Sequence, residues 1–181
     1  MLSTNYMRVI YFIAVVLIGS FTASNSQAAS YEFTWKGSGG YWLEGAFSIP
    51  DRLADADFID ERNVQCFKIN GYHGETAIGQ WSLGDLTPET FWSLNFEPAK
   101  LQFRTGGLSY GPYGQEWNMD GTGTSCGKNG FGFNAGGGWQ DVCVNRKLIR
   151  ASQIAPQTIL KATRNNDIRF KSGDCIFVSV S

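Results

Sequence analysis

The fold is decided by residues 31–49, which read YEFTWKGSGGYWLEGAFSI. Apolar and polar residues alternate on both sides of the glycine-rich cluster 37–40, and this period of two is typical of strands with one buried face. A bulge at Gly40 would place Trp35 opposite Leu43 and match the two apolar faces, whereas a plain four-residue loop would mix them. The stretch therefore predicts a β-hairpin in the bulged register.

The second strand of this hairpin also alternates. Leu43, Phe47 and Ile49 belong to the apolar face, and the alternation puts Trp42, Glu44 and Ser48 on the opposite side.

The same pattern continues along the chain. In the next hairpin, a turn at 97–100 with Pro at its second position sets Phe96 opposite Leu101 and Leu94 opposite Phe103. A third hairpin joins the runs 131–133 and 139–144. Further strands are predicted at 64–69, 76–83, 158–163, 168–171 and 175–180.

Helical patterns are short, within 51–62 and 148–154, and contribute at most a turn or two each. Many short strands separated by turn residues favour an antiparallel β-sandwich or jelly-roll-like fold over a small barrel. The sequence predicts one all-β domain over residues 29–181.

Composition excludes several classes of protein. The 181 residues are 43% hydrophobic and 14% aromatic, which is too apolar for a disordered chain. A formal net charge of -1 argues against a nucleic-acid surface, which needs a concentrated positive field.

The N-terminal segment is predicted to be a secretory signal peptide over residues 1–28. Arg8 precedes an uncharged apolar run at 9–18, and small residues follow, as in the three-part layout of such peptides. Cleavage is expected after Ala28, with Ser30 as the second choice. The apolar run is too short for a bilayer, although a retained anchor is the alternative, so we expect a secreted, extracellular or periplasmic protein without a membrane span after signal removal.

Four cysteines lie in the predicted mature chain. An even number in an oxidising compartment predicts two structural disulfides, and their wide spacing disfavours a metal site. Three connectivities are possible. We favour Cys126–Cys143 with Cys66–Cys175.

The segment 106–138 is the candidate ligand-binding region, because it holds 12 of the 22 glycines. Tyr110, Tyr113 and Trp117, with Glu116 beside them, could form an aromatic platform for an extracellular glycan or surface polymer. Flat rings suit sugars, whose C–H faces pack on them while hydroxyls bond at the rim. The alternative is that these aromatics close the end of the core. The main hypothesis is thus a secreted or surface-associated, non-catalytic binding module.

Two other functions stay open. A small secreted jelly-roll glycoside hydrolase would need two convergent carboxylates, drawn from Glu44, Glu75, Glu97 and Glu116. A structural or matrix protein would instead present a flat apolar patch or an open sheet edge.

The remaining candidates have simpler interpretations. The acidic stretch 51–61 could bind calcium, but flanking arginines can neutralise it. His73, the single histidine, falls in a predicted turn at 70–75 without a nucleophile motif nearby. No helix is predicted after the glycine clusters, so a phosphate site is disfavoured and no cofactor is expected.

Three stretches carry a family resemblance: 31–49, 91–103 and 130–144. They resemble segments of short, exported, β-rich bacterial proteins of the PEP-CTERM-associated type. The resemblance implies a bacterial exported protein. The sorting tail of that type is not found, so surface sorting does not carry over, and no catalytic residue transfers.

Overall fold

The computed structural model describes residues 28–107 and 113–176, and within them it contains strands and 3₁₀ turns but no α-helix. The strands form two antiparallel sheets, which confirms the predicted all-β, sandwich-like class. They are β1 (Ala28–Lys36), β2 (Tyr41–Pro50), β3 (Ile59–Asp60), β4 (Cys66–His73), β5 (Thr76–Ser82), β6 (Phe91–Ser93), β7 (Asn95–Glu97), β8 (Gln102–Phe103), β9 (Glu116–Met119), β10 (Phe131–Ala135), β11 (Gln140–Val144), β12 (Lys147–Leu148) and β13 (Leu160–Arg164).

The larger sheet has eight strands in the described part of the chain, in the order β3–β7–β8–β13–β1–β2–β4–β5, and it curls into a half-barrel. The smaller sheet has five strands there, in the order β12–β11–β10–β9–β6. The chain crosses between the sheets after β5, β6, β8 and β12. Strands from distant parts of the sequence therefore become neighbours.

The first hairpin has the predicted register. Trp35 lies opposite Leu43 and Tyr31 lies opposite Phe47. Gly39 and Gly40 form the turn with φ of 61° and 80°, a left-handed conformation that glycine adopts without a steric penalty. Tyr31, Phe33 and Trp35 of β1 consequently point into the core.

The register of the second hairpin is shifted by two residues from the prediction. Phe96 lies opposite Phe103, and Glu97 opposite Gln102, so the prediction of Leu101 as the partner of Phe96 is wrong. A 3₁₀ turn at Pro98–Lys100 is followed by Leu101 in the left-handed conformation, with φ of 51°. Leu101 is therefore part of the loop and not of β8.

The core lies between the two sheets and is mainly aromatic. Phe33, Phe67 and Phe103 of the larger sheet surround Trp117 of the smaller one, with ring centroids 5.0–5.5 Å apart. Phe133 on β10 packs on the other side of Trp117 at 4.6 Å. Each fully buried ring of this size stabilises the fold by about 1.5–3 kcal/mol.

Other predicted elements are partly confirmed. The predicted helical turns are 3₁₀ turns, at Asp51–Leu53, Glu61–Asn63 and Arg150–Ser152, and the short strand β3 lies between the first two. The predicted strand at 168–171 is wrong, because that segment is irregular. At 175–180, Cys175 makes one bridge to Cys66, and residues 177–180 lie outside the described residues.

Both predicted disulfides are present, Cys66–Cys175 and Cys126–Cys143. The first ties the segment after β13 to β4. The second links β11 to the loop before β10, and it packs with Met119 in a small cluster of its own.

Candidate functional site

The predicted aromatic platform in 106–138 does not form as a unit. Trp117 and Glu116 are fully buried, whereas Tyr113 is 56% exposed. Tyr110 lies outside the described residues. Trp117 cannot offer its ring to a ligand, so its proposed surface role is wrong: its strand turns that side chain into the aromatic core.

Tyr113 has a contact of its own. The guanidinium of Arg104 lies 5.1 Å from the centre of the Tyr113 ring and 4.3 Å from that of Phe58. Arg104 also donates two hydrogen bonds to Glu97 Oε1, at 3.2 and 3.1 Å. The exposed ring thus helps to hold the start of the glycine-rich segment against β7.

Glu116 belongs to a buried polar row on the outer face of the smaller sheet. Ser93, Glu116, Asn134 and Asp141 are neighbours across its strands, and all are at most 9% exposed. Burial raises the pKa of Asp141, against hydrogen bonds from Gln153 and Asn134. The row is closed to a ligand in this conformation.

The loop that lies against this buried polar row requires a glycine at position 123. Gly123 has φ of 68°, and a Cβ there would lie 3.0 Å from Asn134 Oδ1 and 3.3 Å from Glu116 Oε1. Asp120 holds the same loop by accepting hydrogen bonds from the backbone N–H and the hydroxyl of both Thr122 and Thr124. Burial opposes ionisation of Asp120, but these bonds outweigh it and lower its pKa to about 2.

A more accessible aromatic surface lies on the outer face of the larger sheet. Trp42 and Tyr72 are partners across β2 and β4, and their rings stack with centroids 4.2 Å apart and planes 13° apart. Trp42 Nε1 donates to Gly74 O at 2.8 Å, and the Tyr72 hydroxyl donates to Glu44 Oε1 at 3.0 Å. The bond to Glu44 raises the pKa of Tyr72. Both rings are held in place and remain partly exposed.

Two open hollows adjoin this stacked pair. The first, about 560 Å³, is lined in part by Glu32, Thr34, Glu44, Asn70, Lys161 and Ile168. The second, about 410 Å³, is bordered by Thr34, Lys36, Tyr41 and Trp42. Thr34 lines both hollows, and the two together are here called the outer trough. Its walls combine flat apolar rings with hydroxyl, amide and carboxylate groups, the composition of a site for a polar ligand with apolar faces.

Sequence reasoning placed Trp42 and Glu44 on the solvent face of β2 but did not connect them to Tyr72. The segment 70–75 was predicted to be a turn, whereas β4 continues to His73. The one feature of the sequence that could have indicated this site is an aromatic residue, Trp42, on the polar face of an alternating strand. Its stacking partner is 30 positions away and is brought close by strand pairing alone.

His73 lies at the end of β4 and not in the turn itself. Its ring stacks on Tyr41 at 4.2 Å, and its Nε2 lies 3.1 Å from Gly39 O. These contacts give it a structural role at the end of the first hairpin.

The four glutamates considered for catalysis lie on four different elements. Glu44 lies on β2, Glu75 in the turn after β4, Glu97 on β7 and Glu116 on β9, and none is the strand partner of another. The outer trough does bring Glu44 onto the same face as Glu32, which was not among the candidates.

The acidic stretch 51–61 is partly neutralised by arginines. Asp60 pairs with Arg62, and Asp51 with Arg164 at 2.7 Å. In the described ranges, no group of three or more His, Cys, Asp or Glu side chains is arranged to hold a metal ion.

The fold and the outer trough define a disulfide-linked, all-β protein of two antiparallel sheets with an aromatic and polar surface on the larger one. No protein-family model, curated protein or solved structure matches this chain. No helix in residues 28–107 and 113–176 is long and apolar enough to cross a membrane.

Proposed function

We propose that this chain is an exported, non-catalytic binding module that holds a carbohydrate in the outer trough. The observation that carries the proposal is the stacked pair Trp42–Tyr72 beside Glu44 and Asn70. Pyranose rings have apolar C–H faces that pack on flat aromatic rings, while carboxylates and amides bond to their hydroxyl groups. The trough supplies both kinds of contact on a rigid sheet.

Export is supported by the two disulfides, which persist in oxidising compartments. The start of β1 also bears on the processing site. Ala29 is fully buried opposite Ile49, and the Ser30 N–H donates to Asn166 Oδ1 at 3.2 Å. Cleavage after Ser30 would remove both contacts.

We therefore expect the exported protein to begin at Ala29. Intact-mass measurement of the chain recovered from the periplasm or medium tests this expectation. A chain that begins at Tyr31, or one that keeps residues 1–28, would contradict it.

The test of carbohydrate binding is Trp42→Ala. A glycan array identifies a ligand for the wild-type protein, and calorimetry then measures its affinity for both forms. Loss of the indole removes the apolar stacking surface, and we expect Kd to rise about tenfold or more, equivalent to about 1.5 kcal/mol or more. Thermal unfolding verifies that the variant is folded.

Trp139→Ala is the control, because Trp139 is a surface tryptophan, 51% exposed, that belongs to the region of the smaller sheet. It should leave Kd unchanged. An equal rise in Kd for Trp139→Ala would mean that the ligand does not bind specifically in the outer trough. Absence of binding to every glycan, with self-association of the wild-type protein, would favour a matrix role. Release of shorter oligosaccharides that is abolished by Glu44→Gln would overturn the non-catalytic part.

A further inference from the structure

The outer trough is closed at one end by the segment 165–176, which crosses the edge of the same sheet face. Asn165 N–H donates to Ser30 O at 2.8 Å, and Ile176 N–H donates to Gln65 O at 3.0 Å. The Cys66–Cys175 disulfide fastens the far end of the segment to β4. Ser30 and Ser48, which face outward at this end of the sheet, are consequently buried.

The closing segment reaches the trough itself through Ile168, which lines the first hollow. Lys68 holds this segment from below, donating to Arg169 O at 3.4 Å and pairing with Asp174 at 3.6 Å. The segment 165–176 is thus attached to the sheet by a disulfide, an ion pair and hydrogen bonds to backbone atoms. Ile168 also borders a separate hollow of about 780 Å³ over Ser30 and Ser48, so the segment lies between that hollow and the outer trough.

The other end of the trough is open. The second hollow is bordered by Lys36 and Trp42, and beyond them lies the turn that joins β1 to β2, whose Ser38 N–H donates to Ser152 O. From Glu32 to Lys36 the floor is four residues of β1, about 13 Å, which fits roughly three pyranose units. The trough therefore has a defined length and one exit.

The charges of the trough balance. Glu32 and Glu44 are matched by Lys161 of the first hollow and Lys36 of the second, while Lys68 is paired with Asp174. A polyanionic or polycationic chain would meet like charge as often as opposite charge. A neutral ligand incurs no such cost.

We propose that the outer trough binds the terminal three or so units of a neutral, linear oligosaccharide, with the chain end against Ile168 and the remainder leaving past Trp42. This inference rests on the proposed carbohydrate function and adds the charge, length and direction of the ligand.

Calorimetry with neutral oligomers of one to six units tests the inference, using β-1,4-linked glucose, β-1,4-linked N-acetylglucosamine and α-1,4-linked glucose. For the series that binds, affinity should rise about tenfold or more from one unit to three and then change little, since further units lie outside the trough. A bulky fluorophore at one end of the trimer should abolish binding, and the same label at the other end should be tolerated. Oligogalacturonate, as the acidic counterpart, should bind more weakly.

Ile168→Trp provides the structural test, because the larger side chain fills the closed end and should weaken trimer binding about tenfold. Ile176→Trp is the matched control: it lies in the same segment, is 46% exposed and does not line the trough. Affinity that keeps rising to six units, tolerance of labels at both ends, or an unaffected Ile168→Trp would overturn the inference and leave carbohydrate binding intact. Failure of every series, with no hit on the array, would remove the proposed function as well.

Discussion

Replacement of Cys66 and Cys175 by serine should lower the free energy of unfolding by about 4–5 kcal/mol, because this disulfide restricts a very long loop of the unfolded chain. The two cysteines are 109 residues apart in sequence. Loss of loop-closure entropy grows with the logarithm of that separation. Urea unfolding of the oxidised protein, followed by tryptophan fluorescence, measures the change.

The matched control is the double serine variant of the other disulfide. Cys126 and Cys143 are 17 residues apart, so their removal should cost only about 3 kcal/mol. Thiol titration of the wild-type protein should find no free cysteine among the four. Equal losses in the two double variants, or a larger loss for the shorter loop, would contradict the chain-entropy argument.

Replacement of Trp117 by alanine should cost about 3–5 kcal/mol, since it leaves a large cavity in the middle of the aromatic core. The Trp117 ring is fully buried and contacts Phe33, Phe67 and Phe133, among others. These neighbours come from both sheets and cannot all move in to fill the space. Chemical denaturation of purified protein gives the value directly.

Trp117→Phe refines this prediction, because the smaller ring keeps part of the packing and the indole N–H of Trp117 has no hydrogen-bond acceptor among the described residues. Its loss should be less than half of that for Trp117→Ala. Trp139→Ala, at an exposed site, should change stability by no more than about 0.5 kcal/mol. A loss below about 1 kcal/mol for Trp117→Ala would mean that this side chain is not at the centre of the core.

Prediction from sequence succeeded where a local pattern had one physically consistent solution. In the first hairpin, only one register placed the alternating apolar faces of both strands on the same side of the sheet, so Trp35 had to face Leu43. In the second hairpin, two registers kept apolar residues together. The left-handed conformation of Leu101 decided between them, and a leucine gives no sequence indication of that conformation.

Most of the candidate site could not be predicted from the sequence. The alternation that turns Trp117 inward turns Glu116 to the opposite face, but it does not reveal that the loop at Gly123 covers that face as well. The stacking of Trp42 on Tyr72 depends on β2 lying beside β4, with β3 placed elsewhere in the same sheet. The order of strands in a sheet is a long-range property that local periodicity does not contain.

The sequence by itself determined the all-β class and the first hairpin with its register, because alternation acts through short-range geometry. The even number of cysteines predicted two disulfides but left three pairings possible, and only the folded structure brings Cys66 to Cys175 and Cys126 to Cys143. Only the tertiary structure decided which aromatic rings are buried and which form a surface. Gly71 and Gly79 illustrate the reason: a Cβ at either would lie within 2.6 Å of the Phe131 ring or its Cβ, from the other sheet. Whether a side chain is buried or exposed depends on which distant strands pack against it, and the packing of the whole domain determines those neighbours.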